Sequence, residues 1–343
     1  MAFKALSKSE KAYIQASLQA QSPLRGDGRS LHQFRAVTLQ TGVVPIANGS
    51  AHLNLGRSSD ESMGGTEILA AAKLEVEDIS ALGNSGGSNS GGRIVCSVSC
   101  SPAAYSYLSA TALDDLQHDY STILNDVLSH ASLRPPNLGI IPGRKAWLLS
   151  LDLMVLSDAG NIYDALFMAA RAALWDTRVP RTRAVEYRPD NKKGGGGKGG
   201  DEMDVDTEPQ SGLDTRRAKA PAADFELEDS WDDGVVLGGR DAWPVSVTLN
   251  LFPGVHFLDA TTQEEAATPL RLILIFSYPA GSPAALHGMH LLGTGDTGLA
   301  QIESLVKDGG KYALQMYTSL NANLKDEELR RTEKARLRFS AAR

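Results

Sequence analysis

The sequence predicts an α+β fold of two lobes, in which mixed or antiparallel sheets are packed with helices. Several short runs alternate between apolar and polar residues, as strands with one buried face do. Between them lie longer stretches in which apolar residues recur every three or four positions, as on one face of a helix. At 343 residues the chain also exceeds the usual size of a single core, which favours two modest lobes.

The first lobe is expected to begin with a helix over residues 7–21, for which Ser7 is a plausible N-cap. A turn-rich linker follows at 24–29. Alternation then predicts three strands that form an antiparallel meander. They cover residues 34–40, 49–56 and 67–76.

A flexible insert is expected at 80–93, because its Gly, Ser and Asn residues offer little apolar surface to offset the entropy of ordering. The alternating run after it, 94–100, places Cys96 and Cys100 on one face of a strand. We expect these thiols to be reduced and buried rather than joined in a disulfide or a metal site. The rest of the lobe is predicted as helix 111–131, strand 145–156, turn 157–161 and a helix of small residues over 163–175.

Residues 189–233 change to Gly-rich and then acidic composition, which predicts a disordered insert. We therefore divide the chain into a first lobe at 1–188, this insert, and a second lobe at 234–343. Strands are predicted in the second lobe at 244–251, 255–260 and 270–276. A long C-terminal helix follows, with Gly309 and Gly310 as its weak point.

Composition excludes several classes of function. A net charge of −7 and a pI near 5.6 argue against binding nucleic acid by overall positive charge. No apolar run reaches the roughly 20 residues of a membrane helix, and the N-terminus does not resemble a secretory signal, so we expect no membrane association. The seven histidines lack metal-ligand spacing, and we assign no metal and no cofactor.

Five segments together resemble the RNase PH-like ring subunits of the eukaryotic exosome. These segments are residues 24–29, 48–56, 160–165, 172–183 and 257–266. They are spread over most of the chain in the expected order, and the inserts 80–93 and 189–233 fall outside them. The resemblance implies an RNase PH-like fold and a hetero-hexameric ring with RNA-binding cap subunits, through which single-stranded RNA is threaded to a separate catalytic nuclease. It also implies a location in the nucleus, nucleolus and cytoplasm.

Active members of this family carry a pair of aspartates in the segment that corresponds to 253–259. Here Asp259 matches the second one, but Pro253 replaces the first and can neither accept a proton nor hold a metal. Their six-residue offset would place both positions on one face of a strand, and a Pro-Gly turn between them could bring them nearer. The resemblance also implies phosphate-binding arginines, yet residues 94–133 contain none and the helix there carries four aspartates. The turn at Gly160 likewise lacks the family's Gly-Thr-Arg or Gly-Thr-Lys sequence.

These three losses predict a non-catalytic ring subunit in which Asp259 is a remnant that braces its turn. The alternative is a phosphate-dependent 3′–5′ exoribonuclease that uses Asp259 with arginines supplied by a partner. A nucleotide-binding loop at 293–298 is a third hypothesis, but it lacks lysine, and Asp296 would repel phosphate.

Two further groups of side chains have a structural and a functional interpretation. Asp158 and Asp164 could form a metal pair, although turn and cap chemistry explains both. A basic cluster is a candidate RNA contact, or else a solvated face or a subunit interface. It consists of Arg178, Arg181 and Arg183.

Overall fold

The computed structural model describes residues 6–56, 64–79, 91–185, 224–228, 234–279, 281 and 283–341. Its α-helices are α1 (Lys8–Leu18), α2 (Ala110–Leu128), α3 (Ile162–Asp176), α4 (Thr262–Ala267) and α5 (Leu299–Ala341). The strands up to residue 157 are β1 (Val37–Thr41), β2 (Gly49–Leu55), β3 (Thr66–Asp78), β4 (Arg93–Cys100), β5 (Gly139–Ile141) and β6 (Lys145–Ser157). The later strands are β7 (Arg178–Val179), β8 (Thr182–Val185), β9 (Asp224–Leu227), β10 (Val235–Val236), β11 (Val245–Phe252), β12 (Val255–Phe257), β13 (Leu270–Ser277) and β14 (Ala285–Gly293).

The first large sheet has the order β1-β2-β3-β6-β4, with β5 paired to β6. The predicted antiparallel meander of β1, β2 and β3 is confirmed, and β6 continues it antiparallel to β3. Strand β4 pairs with β6 in parallel, which makes the sheet mixed. Local alternation could not predict that pairing, because a strand's direction depends on the path of the chain between strands.

Helix α2 covers the free edge of β4. Side chains four residues apart on the helix, those of Gln117, Ser121 and Asn125, accept hydrogen bonds from alternate backbone amides of the strand at 2.7–3.0 Å. Edge strands that are left open invite pairing with other chains, and these contacts close this one. Cys96 and Cys100 are free and buried beneath the helix, and burial raises the pKa of each thiol to about 12.

Helix α3 packs against both large sheets, contacting β2 and β3 on one side and β11 on the other. Every residue from Ile162 to Trp175 is buried. Its alanines leave room for the two sheets to approach, because small side chains permit close helix-to-sheet packing. The second sheet is antiparallel, in the order β12-β11-β13-β14, and α5 packs on β11 and β13. One mixed and one antiparallel sheet packed with helices confirm the predicted α+β class.

Several elements differ from the sequence prediction. Strand β14 and the short helix α4 were not predicted, and β9 lies inside the segment expected to be disordered, where it pairs with β8. Apart from 224–228, the insert predicted at 189–233 lies outside the described residues. Residues 80–90 of the predicted flexible insert also lie outside them, whereas Arg93 already belongs to β4.

Candidate functional site

Asp259 lies just after β12 and has no exposed side-chain surface. Its backbone has a φ of 48°, in the left-handed region that Asp and Asn tolerate better than most residues. Oδ1 accepts hydrogen bonds from Arg35 Nη2 at 2.8 Å and Asn161 Nδ2 at 3.0 Å. Oδ2 accepts from Arg29 Nη1 and from the backbone N–H of Arg35, both at 2.6 Å. Each carboxylate oxygen is therefore held by at least two donors.

These donors decide the charge state of Asp259. Burial opposes ionisation, but hydrogen bonding to Arg35, followed by the charges of Arg35 and Arg29, keeps the pKa of Asp259 below its usual range. The carboxylate is consequently ionised and already neutralised from its own chain. It has no free oxygen with which to hold a metal or to accept a proton from a reacting group.

A second buried ion pair lies beside the first. Arg25 forms a two-pronged contact with Glu264, Nε to Oε1 at 2.9 Å and Nη2 to Oε2 at 2.6 Å. The same guanidinium donates to the carbonyl oxygens of Leu258 and Asp259 at 3.0 and 2.7 Å. Glu264 in turn completes a capping box with Thr261 at the start of α4. The N-terminal linker is thus fastened to the turn that carries Asp259.

Arg25, Arg29 and Arg35 were not predicted as site residues, although two of them lie in the 24–29 segment that carries the family resemblance. Each lies more than 220 residues from its partner in sequence. No periodicity or spacing reports a contact over that distance. The excess of arginines in one short linker and of carboxylates around 259–265 was the available signal.

The structure does not place Pro253 and Asp259 on one face of a strand, and that expectation was wrong. Pro253 and Gly254 form the tight turn between β11 and β12, and Gly254 adopts a φ of 82°. Pro253 is exposed at this turn, whereas Asp259 is buried beyond the end of β12. The even offset failed because the chain reverses between the two positions, so they do not share a strand.

A cavity of about 170 Å³ lies where the other two predicted losses meet. Its wall combines the loop before α2, the exposed face of α2, the turn leading into α3 and the start of α4. The charged residues that line it are Asp115, Asp119, Asp158, Glu265 and Arg271. Four carboxylates and one guanidinium give it a formal charge of −3. Burial raises the pKa of Glu265, and the charge of Arg271, whose Nη1 lies 3.2 Å from Glu265 Oε2, opposes that shift.

The turn leading into α3 allows only glycine at Gly160. Its φ is 97°, and a Cβ there would lie 2.4 Å from the carbonyl oxygen of Ala260. Asn161 follows with a φ of 58°; its backbone N–H donates to Glu265 Oε1 at 2.8 Å, and its side chain donates to Asp259. The backbone N–H and the side-chain amide of Asn161 therefore bind carboxylates of the same chain. Without those contacts, such donors could bind an anion from solution.

Asp158 and Asp164 have separate partners. Asp158 accepts hydrogen bonds from Tyr105 Oη and from the backbone N–H of Gly160, both at 2.8 Å. Asp164 is fully buried and accepts from the hydroxyls of Ser246 and Thr248 at 3.0 and 2.8 Å. Burial raises its pKa to about 7. Across the described ranges, no three His, Cys, Asp or Glu side chains are grouped closely enough to hold a metal ion.

The 293–298 turn connects β14 to α5. A Cβ on Gly293 would lie 2.2 Å from the carbonyl oxygen of Pro269, so the close approach of two backbones already explains that glycine. Thr294 donates its backbone N–H to the same oxygen at 3.1 Å. None of the helices in the described part of the chain has both the length and the apolar character to span a membrane.

The predicted basic cluster is divided between two places. Arg178 lines a second, larger cavity of about 640 Å³, together with Arg240 and Arg331. Arg240 Nη1 lies 3.5 Å from a Glu328 carboxylate oxygen, and its guanidinium stacks 4.9 Å from the centre of the Trp175 ring. Arg181 and Arg183 are exposed near β8 and do not line this cavity.

Residues 33–180 match the family model described as "3′ exoribonuclease family, domain 1" (RNase PH). A Dictyostelium discoideum protein named as putative exosome complex exonuclease RRP42 is 26% identical over 310 residues, covering 78% of this chain and 83% of that protein. The Schizosaccharomyces pombe exosome complex component rrp42 is 26% identical over 297 residues, with coverage of 84% and 83%.

Two solved archaeal structures share the fold. A chain of the Archaeoglobus fulgidus exosome with RNA bound to the active site superposes with a TM-score of 0.61 at 18% identity, covering 91% of this chain and 97% of that one. A chain of an archaeal exosome core gives a TM-score of 0.57 at 18% identity, with coverage of 91% and 96%. At this identity the superpositions establish the fold alone.

Proposed function

We propose that the chain is an RNase PH-like protein and a non-catalytic structural subunit of an exosome core ring. In that role it forms part of the channel through which RNA passes to a separate nuclease for 3′–5′ processing and decay, including ribosomal RNA maturation. Two relatives whose names place them in the exosome complex match along most of their length, and they support the assignment to the ring.

The observation that carries the non-catalytic role is the charge of the 170 Å³ cavity. Phosphorolysis brings a phosphate nucleophile against an RNA phosphate, so two anions must be held side by side by cations. Here the lining has four carboxylates and a single guanidinium, and that guanidinium is paired with Glu265. Such a lining repels the nucleophile.

The alternative, a phosphorolytic enzyme that uses Asp259 with arginines lent by a partner, is opposed by the contacts of that carboxylate. Arg29 and Arg35 already occupy it from within the chain. A catalytic role would require the brace to open first, at the cost of an unpaired buried charge.

We also propose that other RNase PH-like chains form the hetero-hexameric ring with this subunit, and that RNA-binding cap subunits and a catalytic nuclease join it, in the nucleus, nucleolus and cytoplasm. Any RNA contact made by this chain would come from a local basic patch, because the net charge is −7. The candidates are Arg178, Arg181 and Arg183.

Two experiments test the subunit role. The purified full chain incubated with single-stranded RNA and phosphate should release no nucleoside diphosphates, and their release would overturn the non-catalytic assignment. Tagged full chain should co-purify with five other RNase PH-like chains in equal amounts by mass spectrometry. Recovery of the chain as a homo-oligomer without them would contradict the ring.

The RNA contact has its own test in the assembled complex. Replacing the three candidate arginines with alanine should flatten the dependence of log K on log salt by about 2, since each contact with a single strand contributes roughly 0.7. Arg93→Ala is the matched control, because it removes an exposed arginine of β4 that is paired with Glu77. An unchanged slope in the triple variant would exclude these three arginines as RNA contacts.

A further inference from the structure

The acidic cavity beside α2 carries more negative than positive charge, with four carboxylates and one guanidinium in its lining. Asp115 and Asp119 lie four residues apart, so they share one face of the helix and repel each other there. Neither carboxylate has a hydrogen bond or ion pair with another residue of the described ranges. By contrast Asp114, the neighbouring carboxylate outside the cavity, accepts a hydrogen bond from Gln117 Nε2 at 3.0 Å.

Tyr163 provides a second, independent observation at this cavity. This residue lines the same cavity and is 2% exposed, yet its hydroxyl has no hydrogen-bond partner within the described part of the chain. Its ring stands edge-on to that of Tyr120, with ring centres 5.2 Å apart. Buried hydroxyls are nearly always paired, so the unpaired hydroxyl of a residue that lines a cavity marks a place for a polar group from outside.

The lining restricts which group this can be. An anion would be repelled by the carboxylates. A bare metal ion needs several ligands converging on one point, and the described residues offer no such group of three. A planar guanidinium fits better, because it presents five donors in different directions and also stacks on aromatic rings. Tyr105, Tyr107 and Tyr120 supply rings around the cavity.

The size of the cavity favours the tip of a side chain over a free small molecule. Its volume is about 170 Å³, whereas sites for free small molecules usually span roughly 300–1,000 Å³. The two exposed aspartates of α2 stand at the surface, where another protein chain can reach them.

We propose that this cavity is a receptor for an arginine side chain of another protein chain, whose guanidinium lies between Asp115 and Asp119 and donates to the hydroxyl of Tyr163. The site would thus bind a cation, whereas a phosphate site binds an anion. Only the identification of the donor as a chain of the assembly rests on the proposed subunit role.

The first experiment uses the free full chain labelled with ¹³C in its tyrosine rings. Tyr163→Phe identifies the Tyr163 signal by its disappearance. N-acetyl-arginine amide should shift that signal saturably, and the Asp115→Asn/Asp119→Asn variant should bind it about tenfold more weakly, because two exposed charge contacts are lost. Asp114→Asn removes one helix carboxylate outside the cavity and should leave the affinity unchanged.

The other outcomes each overturn the proposal. The proposed guanidinium receptor would be wrong if the signal did not shift, or if Asp114→Asn weakened binding as much as the double variant. It would also be wrong if spermidine or Mg²⁺ bound more tightly than the arginine probe. None of these outcomes would contradict the subunit role. Saturable binding of inorganic phosphate at this signal would overturn both the guanidinium receptor and the non-catalytic subunit role. In the co-purified assembly the Tyr163 signal should no longer respond to the probe; a response equal to that of the free chain would exclude a protein side chain as the occupant.

Discussion

Asp259→Asn tests whether the buried carboxylate is a structural brace. The substitution keeps the shape of the side chain and removes its charge. Because each carboxylate oxygen receives at least two N–H donors, the new amide group must face a donor in either orientation. Arg29 and Arg35 then face one another around a neutral side chain.

The expected loss follows from burial. Removing one partner of a buried ion pair costs about 3–5 kcal/mol. The side chains of Arg29 and Arg35 are 10% and 11% exposed, so water can partly hydrate them after the change. We therefore expect Asp259→Asn to lower the free energy of unfolding by about 3 kcal/mol, the lower end of that range.

Asp27→Asn is the matched control. Asp27 contacts the same arginine, Arg29, at the same distance of 2.6 Å, but its side chain is 33% exposed. An ion pair open to water contributes about 0–1 kcal/mol, so this control should have little effect. Urea unfolding at pH 7, followed by the fluorescence of the buried tryptophans, measures both variants. A loss below about 1 kcal/mol for Asp259→Asn, or equal losses in the two variants, would refute the brace.

Two further predictions concern the buried carboxylate of α3 and the glycine pair of α5. Because burial raises the pKa of Asp164 to about 7, its contribution to stability is full below its unfolded value of 3.8 and is lost as pH rises through about 7. Asp164→Asn should therefore reduce the free energy of unfolding more at pH 5 than at pH 8, and urea titrations showing a constant difference would contradict this. In α5, a Cβ at Gly309 would lie 2.4 Å from Leu274 Cδ1, whereas one at Gly310 would lie 3.8 Å from Phe276 Cζ. Thermal unfolding should show Gly309→Ala destabilised by about 1–3 kcal/mol through overpacking and Gly310→Ala stabilised by about 0.5–1 kcal/mol through helix propensity; equal effects would refute the packing argument.

The same glycine pair shows what sequence reasoning could and could not reach. Helical periodicity predicted the apolar face of α5, and the low helix propensity of glycine marked Gly309 and Gly310 as equivalent weak points. The structure separates them, because Gly309 is pressed against Leu274 of β13 while Gly310 has room beside Phe276. Helix propensity depends on the residues of the helix alone, whereas the space available for an added Cβ depends on the strand packed against it.

Strand β14 and helix α4 were missed for a related reason. His287, Gly288 and His290 interrupt the apolar alternation of β14, yet the strand forms because β13 pairs with every residue of it except His287, where the register shifts. The capping box of α4, Thr261 with Glu264, was readable in sequence, but the six-residue helix offers too short a periodic pattern to detect.

The sequence by itself determined the order of most strands and helices, and it showed that arginine is absent from 94–133 while aspartates occupy the helix there. Those features are local, and periodicity or composition reports them directly. Tertiary structure alone decided that Asp259 is neutralised by Arg29 and Arg35. It also decided that Asp115 and Asp119 of α2 line one cavity with Asp158 and Glu265. Charges separated by more than 200 residues meet only when the packed core brings their elements together, and that packing determines which carboxylates are braced from within the chain.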